Sequence, residues 1–149
     1  MKITKGYKRE YKKILKQLRD LCVNFYKNRL VSLVVFGSVA KGTFSPVSDI
    51  DLLIILKNKR TQYEEFSIYY DNIETKLFRG DFTVEINPIF KSYRELSVKT
   101  SYLWNTDFIV LYDTEDFFKN FLDKLQEFKN KALFIHTKPM EYIELVNGK

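Results

Sequence analysis

Hydrophobic positions along the chain change period several times, and each change marks an element. Over residues 8–28, Ile14, Leu18, Leu21, Cys22 and Phe25 recur at helical spacing, with Lys12, Lys16 and Arg19 on the opposite face. Leu30–Phe36 is a continuous apolar, β-branched run, the pattern of a strand buried on both faces. Gly37-Ser38 ends that run, and Ser45-Pro46 marks a turn. Asp49–Leu56 is a second buried strand, with Ile50, Leu52, Leu53, Ile54 and Ile55 as its interior. Thr61 and Glu64 form a capping-box pattern, which opens a helix expected to bury Tyr63, Phe66, Tyr70, Ile73 and Leu77 and to stop near Gly80. Phe82–Ile86 alternates as a third strand and ends at Asn87-Pro88. Ser92 and Glu95 predict a further helix running towards Trp104. Phe108–Tyr112 is a fourth strand, and Phe117, Phe121, Leu125, Phe128 and Ala132 trace a last amphipathic helix.

The connection between the first two strands is too short for a parallel crossover helix. The order of elements therefore predicts an α+β domain, with a small mixed or antiparallel sheet of about four strands flanked by helices. A dinucleotide-binding fold would also need a glycine pattern that this chain lacks. With 149 residues, the expectation is one domain: a basic first helix over 1–29, a core over 30–113, and a helix and tail over 114–149.

Composition narrows the class further. Cys22 is the sole cysteine, which excludes an intramolecular disulfide and a Cys-rich zinc site. There is no apolar signal core and no run of about 18 apolar residues to span a bilayer, so a cytoplasmic protein without a membrane role is expected. The net charge of +6 is uneven: residues 1–30 hold ten Lys/Arg against two Asp/Glu, and the rest carries 15 basic against 17 acidic groups. The basicity thus belongs to the first helix. It is either a solvated face, a phosphate-tracking surface for RNA, or a docking surface for an acidic partner.

The candidate chemistry lies in Gly37-Ser38-Val39-Ala40-Lys41-Gly42-Thr43, continued by Ser48-Asp49-Ile50-Asp51. Asp49 and Asp51 are two apart on a strand, so both side chains leave the same face, with Cα atoms roughly 6.5–7 Å apart. Two carboxylates that close repel unless a positive group lies between them. A hard, oxygen-seeking cation such as Mg²⁺ supplies that charge. Glycine at position 37 lets a phosphate approach the backbone. The Ser38 hydroxyl and the turn amides can donate to phosphate oxygens, and Lys41 adds positive charge nearby. Phosphates beside metal-binding carboxylates make a phosphoryl- or nucleotidyl-transfer site.

The spacing of Gly37-Ser38, ten residues (39–48), then Asp49-Ile50-Asp51 resembles the signature of the DNA polymerase β-like nucleotidyltransferase superfamily. The resemblance runs from about residue 30 to 113. It looks closest to the minimal nucleotidyltransferases of archaea and bacteria, whose late strand is similar to Asp107–Asp113. It implies two Mg²⁺ ions held by the paired aspartates, ATP or another nucleoside triphosphate as donor, and transfer of a nucleoside monophosphate to a hydroxyl with release of pyrophosphate. The candidates for holding the nucleotide are Gly37, Ser38, Lys41 and Ser48. The resemblance also implies a third carboxylate on a later strand, for which Glu85 is the best match, with Asp81 at the strand's edge. Minimal members are often paired with a HEPN-type helical protein, as an antitoxin that nucleotidylates its toxic partner. The alternatives are a partner-binding antitoxin module without turnover and an RNA-directed nucleotidyltransferase.

Overall fold

The computed structural model describes residues 2–80 and 84–136. Helix α1 (Lys2–Tyr26) leads through a short 3₁₀ turn to strand β1 (Leu30–Phe36), and a four-residue helix α2 (Ser38–Lys41) follows. Then come β2 (Ile50–Leu56), α3 (Gln62–Asn72), β3 (Ile86–Ser92), β4 (Phe108–Asp113) and α4 (Phe117–His136). The strands form one sheet in the order β3-β2-β1-β4. β1 runs antiparallel to β2, as the short first connection requires, and to β4, while β2 runs parallel to β3, so the sheet is mixed.

Both faces of this sheet are covered. Leu33 and Val35 of β1, with Leu52, Ile54 and Leu56 of β2, face α1 and α3, where they meet Ile14, Leu18, Cys22, Tyr69 and Ile73. Val34, Phe36, Leu53 and Ile55 face the other way, onto Phe118, Phe121 and Leu125 of α4. This explains why the central strands are apolar without alternation: neither face sees water. Helix α4 starts where Asp113 accepts hydrogen bonds from the Phe118 and Lys119 amides (2.9 and 3.1 Å), and the same carboxylate satisfies the buried Ser32 hydroxyl at 2.6 Å.

Three expectations need correcting. The third strand is Ile86–Ser92 and passes straight through Asn87-Pro88; Phe82 and Asp81 lie outside the described residues. Proline is tolerated because β3 is an edge strand whose one partner is β2. Residues 85, 87 and 89 turn their peptide groups towards β2, as the bond from the Ile50 amide to the Glu85 carbonyl (2.8 Å) shows. Residues 88 and 90 therefore turn outwards. At Phe90 both outward groups are taken by Gln62 of α3, whose amide nitrogen donates to the carbonyl (2.8 Å) and whose oxygen accepts from the N–H (3.3 Å).

The helix expected after Ser92 is absent. The Ser92 amide does donate to Glu95 (2.8 Å), but this contact closes a single turn, and a 3₁₀ turn at Ser101–Leu103 follows. Finally, α3 begins with the expected Thr61/Glu64 capping box but ends at Asn72 and buries a different face. Tyr63, Phe66 and Tyr70 are exposed, while Glu65 and Tyr69 are buried. Glu65 tolerates burial because Arg29 and Arg60 pair with it at 2.8 and 3.7 Å and the Arg60 amide donates to it at 2.9 Å.

Cys22 lies wholly buried in the α1 core, and burial pushes its thiol up to about 12. Thiol reagents at neutral pH are therefore expected to leave the folded protein unlabelled and to label one site per chain after denaturation. Fast labelling of the folded protein would contradict the burial.

Candidate active site

The antiparallel register pairs Phe36 with Asp51, which brings the turn after β1 against the start of β2. Gly37 sits at φ +83°, ψ −156°, a conformation essentially reserved for glycine. A Cβ there would collide with the Asp51 carboxylate and come within 3.4 Å of its Cγ. The two halves of the motif, 14 positions apart, are thus in direct contact. The Gly37 amide donates to the Thr106 hydroxyl at 2.7 Å, which fixes the turn from the β4 side.

Asp49 and Asp51 stand at the lip of β2, Asp49 exposed and Asp51 half-buried. At their spacing, mutual repulsion costs about 0.6–2.5 kcal/mol for effective dielectric constants between water and a protein surface. Leu52–Leu56 are fully buried just behind them, and each such side chain contributes roughly 1.5–3 kcal/mol. Burial therefore outweighs the repulsion and holds the pair in place. On the neighbouring strand, the parallel register sets Asn87 beside Asp51. The Asn87 Nδ2 lies 3.3 Å from Asp49 Oδ2 and 3.2 Å from Asp51 Oδ1, so one amide bridges both acids.

The structure treats the remaining candidates differently. Ser38 and Lys41 are exposed on α2, one turn of helix next to Gly37. The Ser48 hydroxyl is engaged in its own turn, accepting from the Ser45 amide at 2.9 Å, and the Ser48 carbonyl accepts from the Tyr11 hydroxyl at 2.5 Å. Burial, aided by the Asp49 charge, raises the Tyr11 pKa. Glu85 is exposed and shares a strand face with Asn87, but it lines a groove of about 480 Å³ beside the pair, together with Phe66, Tyr70 and Arg79. Arg79 pairs with Glu74 at 2.7 Å and donates to the Val84 carbonyl at 2.7 Å, which steadies the approach to Glu85. Among the described residues, no three His, Cys, Asp or Glu side chains form a cluster that could hold a metal ion. Asp81 is outside the described residues.

Sequence reasoning missed Asn87 and Thr106. Asn87-Pro88 reads locally as a strand terminator, and only the pairing of β3 with β2 reveals the amide beside the acids. Thr106 carries no local signal, because its partner is a backbone amide 69 residues away.

Comparison with known proteins identifies the family. The model of the nucleotidyltransferase domain family matches residues 8–145. A protein of Methanocaldococcus jannaschii, provisionally assigned as a protein adenylyltransferase, is 30% identical over 131 residues, which span 82% of this chain and 86% of that protein. The crystal structure of a Shewanella oneidensis protein superposes with a TM-score of 0.51 at 15% identity, covering 80% of this chain and 87% of the other. A toxin–antitoxin structure with AMP-PNP gives a TM-score of 0.48 at 15% identity, covering 83% and 95%. At its identity, the Shewanella likeness is one of fold. The match over 8–145 and the Methanocaldococcus relative bear out the resemblance carried by the motif: the chain belongs to the nucleotidyltransferase domain family and is a nucleotidyltransferase.

Proposed function

We propose that the enzyme transfers AMP from ATP to a hydroxyl of a protein acceptor, with Mg²⁺ at Asp49 and Asp51. The observation that carries this reading is the contact between Gly37 and the Asp51 carboxylate, because it puts the turn bearing the exposed Ser38 hydroxyl against a cation-seeking acid. The donor set fits a hard cation: two carboxylates on one strand face, already drawn towards the positive end of an amide dipole. When bound, Mg²⁺ would neutralise charge on the phosphates and polarise the phosphorus that is attacked.

The protein's own groups supply the rest. Gly37 leaves room for the Asp51 carboxylate to pack against the turn, and the exposed Ser38 hydroxyl donates to a phosphate oxygen. Lys41 offsets negative charge from α2. Ser48 acts indirectly, by closing the turn that delivers Asp49. Glu85 is the candidate to receive the acceptor's proton, from the wall of the groove beside the pair. It would have to turn from that wall towards the aspartates, and Arg79 behind it keeps the chain from moving with it.

The choice of a protein acceptor leans on the name given to the Methanocaldococcus relative. The finer assignment, a HEPN-type partner in an antitoxin pairing, leans on the sequence resemblance. RNA as acceptor is a second reading. It is favoured by the exposed Lys8, Arg9, Lys12 and Lys16 on α1, whose Tyr7 and Tyr11 hydroxyls bond to the loop before Asp49.

One assay separates these readings. ATP labelled at the α-phosphate is incubated with Mg²⁺, the enzyme, and in parallel a candidate HEPN-type partner and RNA. Label on the partner is the expected result. Label on RNA that is lost when Lys12 and Lys16 are reversed in charge would assign the second reading. No label from any of the four nucleoside triphosphates onto either acceptor would overturn the proposal.

A further inference from the structure

Among the described residues, the side chain that hydrogen-bonds both Asp49 and Asp51 is an amide. The parallel register puts residue 87 beside Asp51, and an acid there would make a third carboxylate at the pair. The chain has Asn87 instead. Its orientation follows from chemistry, since ionised carboxylates only accept hydrogen bonds and the NH₂ group must therefore face them. That group spans Asp49 Oδ2 and Asp51 Oδ1 at 3.3 and 3.2 Å. It sits between oxygens that a shared cation would need.

We infer that Asn87 is a positioning residue that holds down the intrinsic cation affinity of the pair, so that the site loads its cation together with the nucleotide. This rests on the reading of Asp49 and Asp51 as the cation site. Two physical arguments lead here. Affinity of oxygen sites for hard cations rises with the number of charged ligands, and Asn87, at the register position beside Asp51, adds none while Glu85 lies on the groove wall. The amide also occupies one oxygen of each carboxylate, so a cation seated between those two oxygens would displace both hydrogen bonds. A triphosphate brings the missing negative charge with it. The consequence is strong coupling: nucleotide should raise cation affinity much more than it would at a three-carboxylate site.

The test is calorimetric titration of Mn²⁺ into the full chain, with and without a non-hydrolysable ATP analogue. Asn87→Asp should bind Mn²⁺ without nucleotide at least tenfold more tightly than the unaltered protein. Asn87→Ala, which removes the amide without adding charge, should bind two- to fivefold more tightly. The analogue should raise affinity most in the unaltered protein. Since Asn87 is exposed, both variants should fold, and thermal melts establish this. Equal affinity in all three proteins, or weaker binding by Asn87→Ala, overturns the inference. If Asp51→Asn abolishes Mn²⁺ binding in that same case, the cation site itself stands and Asn87's role alone is lost. If Mn²⁺ binds none of the proteins, with or without the analogue, both readings fall.

Discussion

Asp49→Ala is expected to lower nucleotidyl transfer by about 10³-fold or more while leaving the fold intact, because it removes half of the charge that would anchor the cation at the phosphates. The separation of the two effects is the informative part. Asp49 is exposed, and among the described residues its side chain hydrogen-bonds Asn87 alone. The backbone at this point is held independently, by the bond from the Ile50 amide to the Glu85 carbonyl. Removing one of two repelling carboxylates should leave the melting temperature unchanged or slightly higher. Pyrophosphate release and a thermal melt on the same preparation measure both. A variant that keeps more than a tenth of its activity, or that melts well below the unaltered protein, would remove Asp49 from the role assigned to it.

The second large effect is expected at Gly37. Gly37→Ala should cost roughly 1–3 kcal/mol of stability for its backbone conformation alone, lowering the melting temperature by about 2–4 °C per kcal/mol for a domain of this size. It should also remove activity, since the new methyl group would displace the Asp51 carboxylate. Gly42 provides the control. It has a similar φ of +85°, but it is in the left-handed helical region and a Cβ there meets nothing within 4 Å. Gly42→Ala should therefore cost about 1–2 kcal/mol and keep transfer within a few-fold. If Gly37→Ala and Gly42→Ala behave alike, the contact between the turn and Asp51 has no functional weight.

Much of this site is legible from sequence because its two halves are local. Gly37-Ser38 and Asp49-Ile50-Asp51 each sit at the end of a strand whose apolar run is unmistakable, and the short connection forces those strands to be antiparallel neighbours. The core positions of α1 and α4 follow from helical period. What escaped detection depends on pairing across long stretches of chain. Asn87 reaches the aspartates by virtue of its register with Asp51, and Asn-Pro is otherwise a sound terminator. The face of α3 was misread because a buried Glu65 looks like a surface residue until Arg29 and Arg60 are seen beside it. The helix expected after Ser92 had its cap but not the sustained apolar period that would carry it beyond a turn.

The outer edge of β3 constrains how an acceptor can arrive. An exposed strand edge usually invites another strand to extend the sheet by backbone pairing. Here the outward position 88 has no N–H to offer, and at position 90 Gln62 has already bonded both groups. Strand addition along positions 88–90, beside the two aspartates, is thereby closed off. The protein acceptor proposed above would then have to present its hydroxyl on a side chain or a protruding loop, so selectivity would rest on the shape of that protrusion and not on an extended backbone.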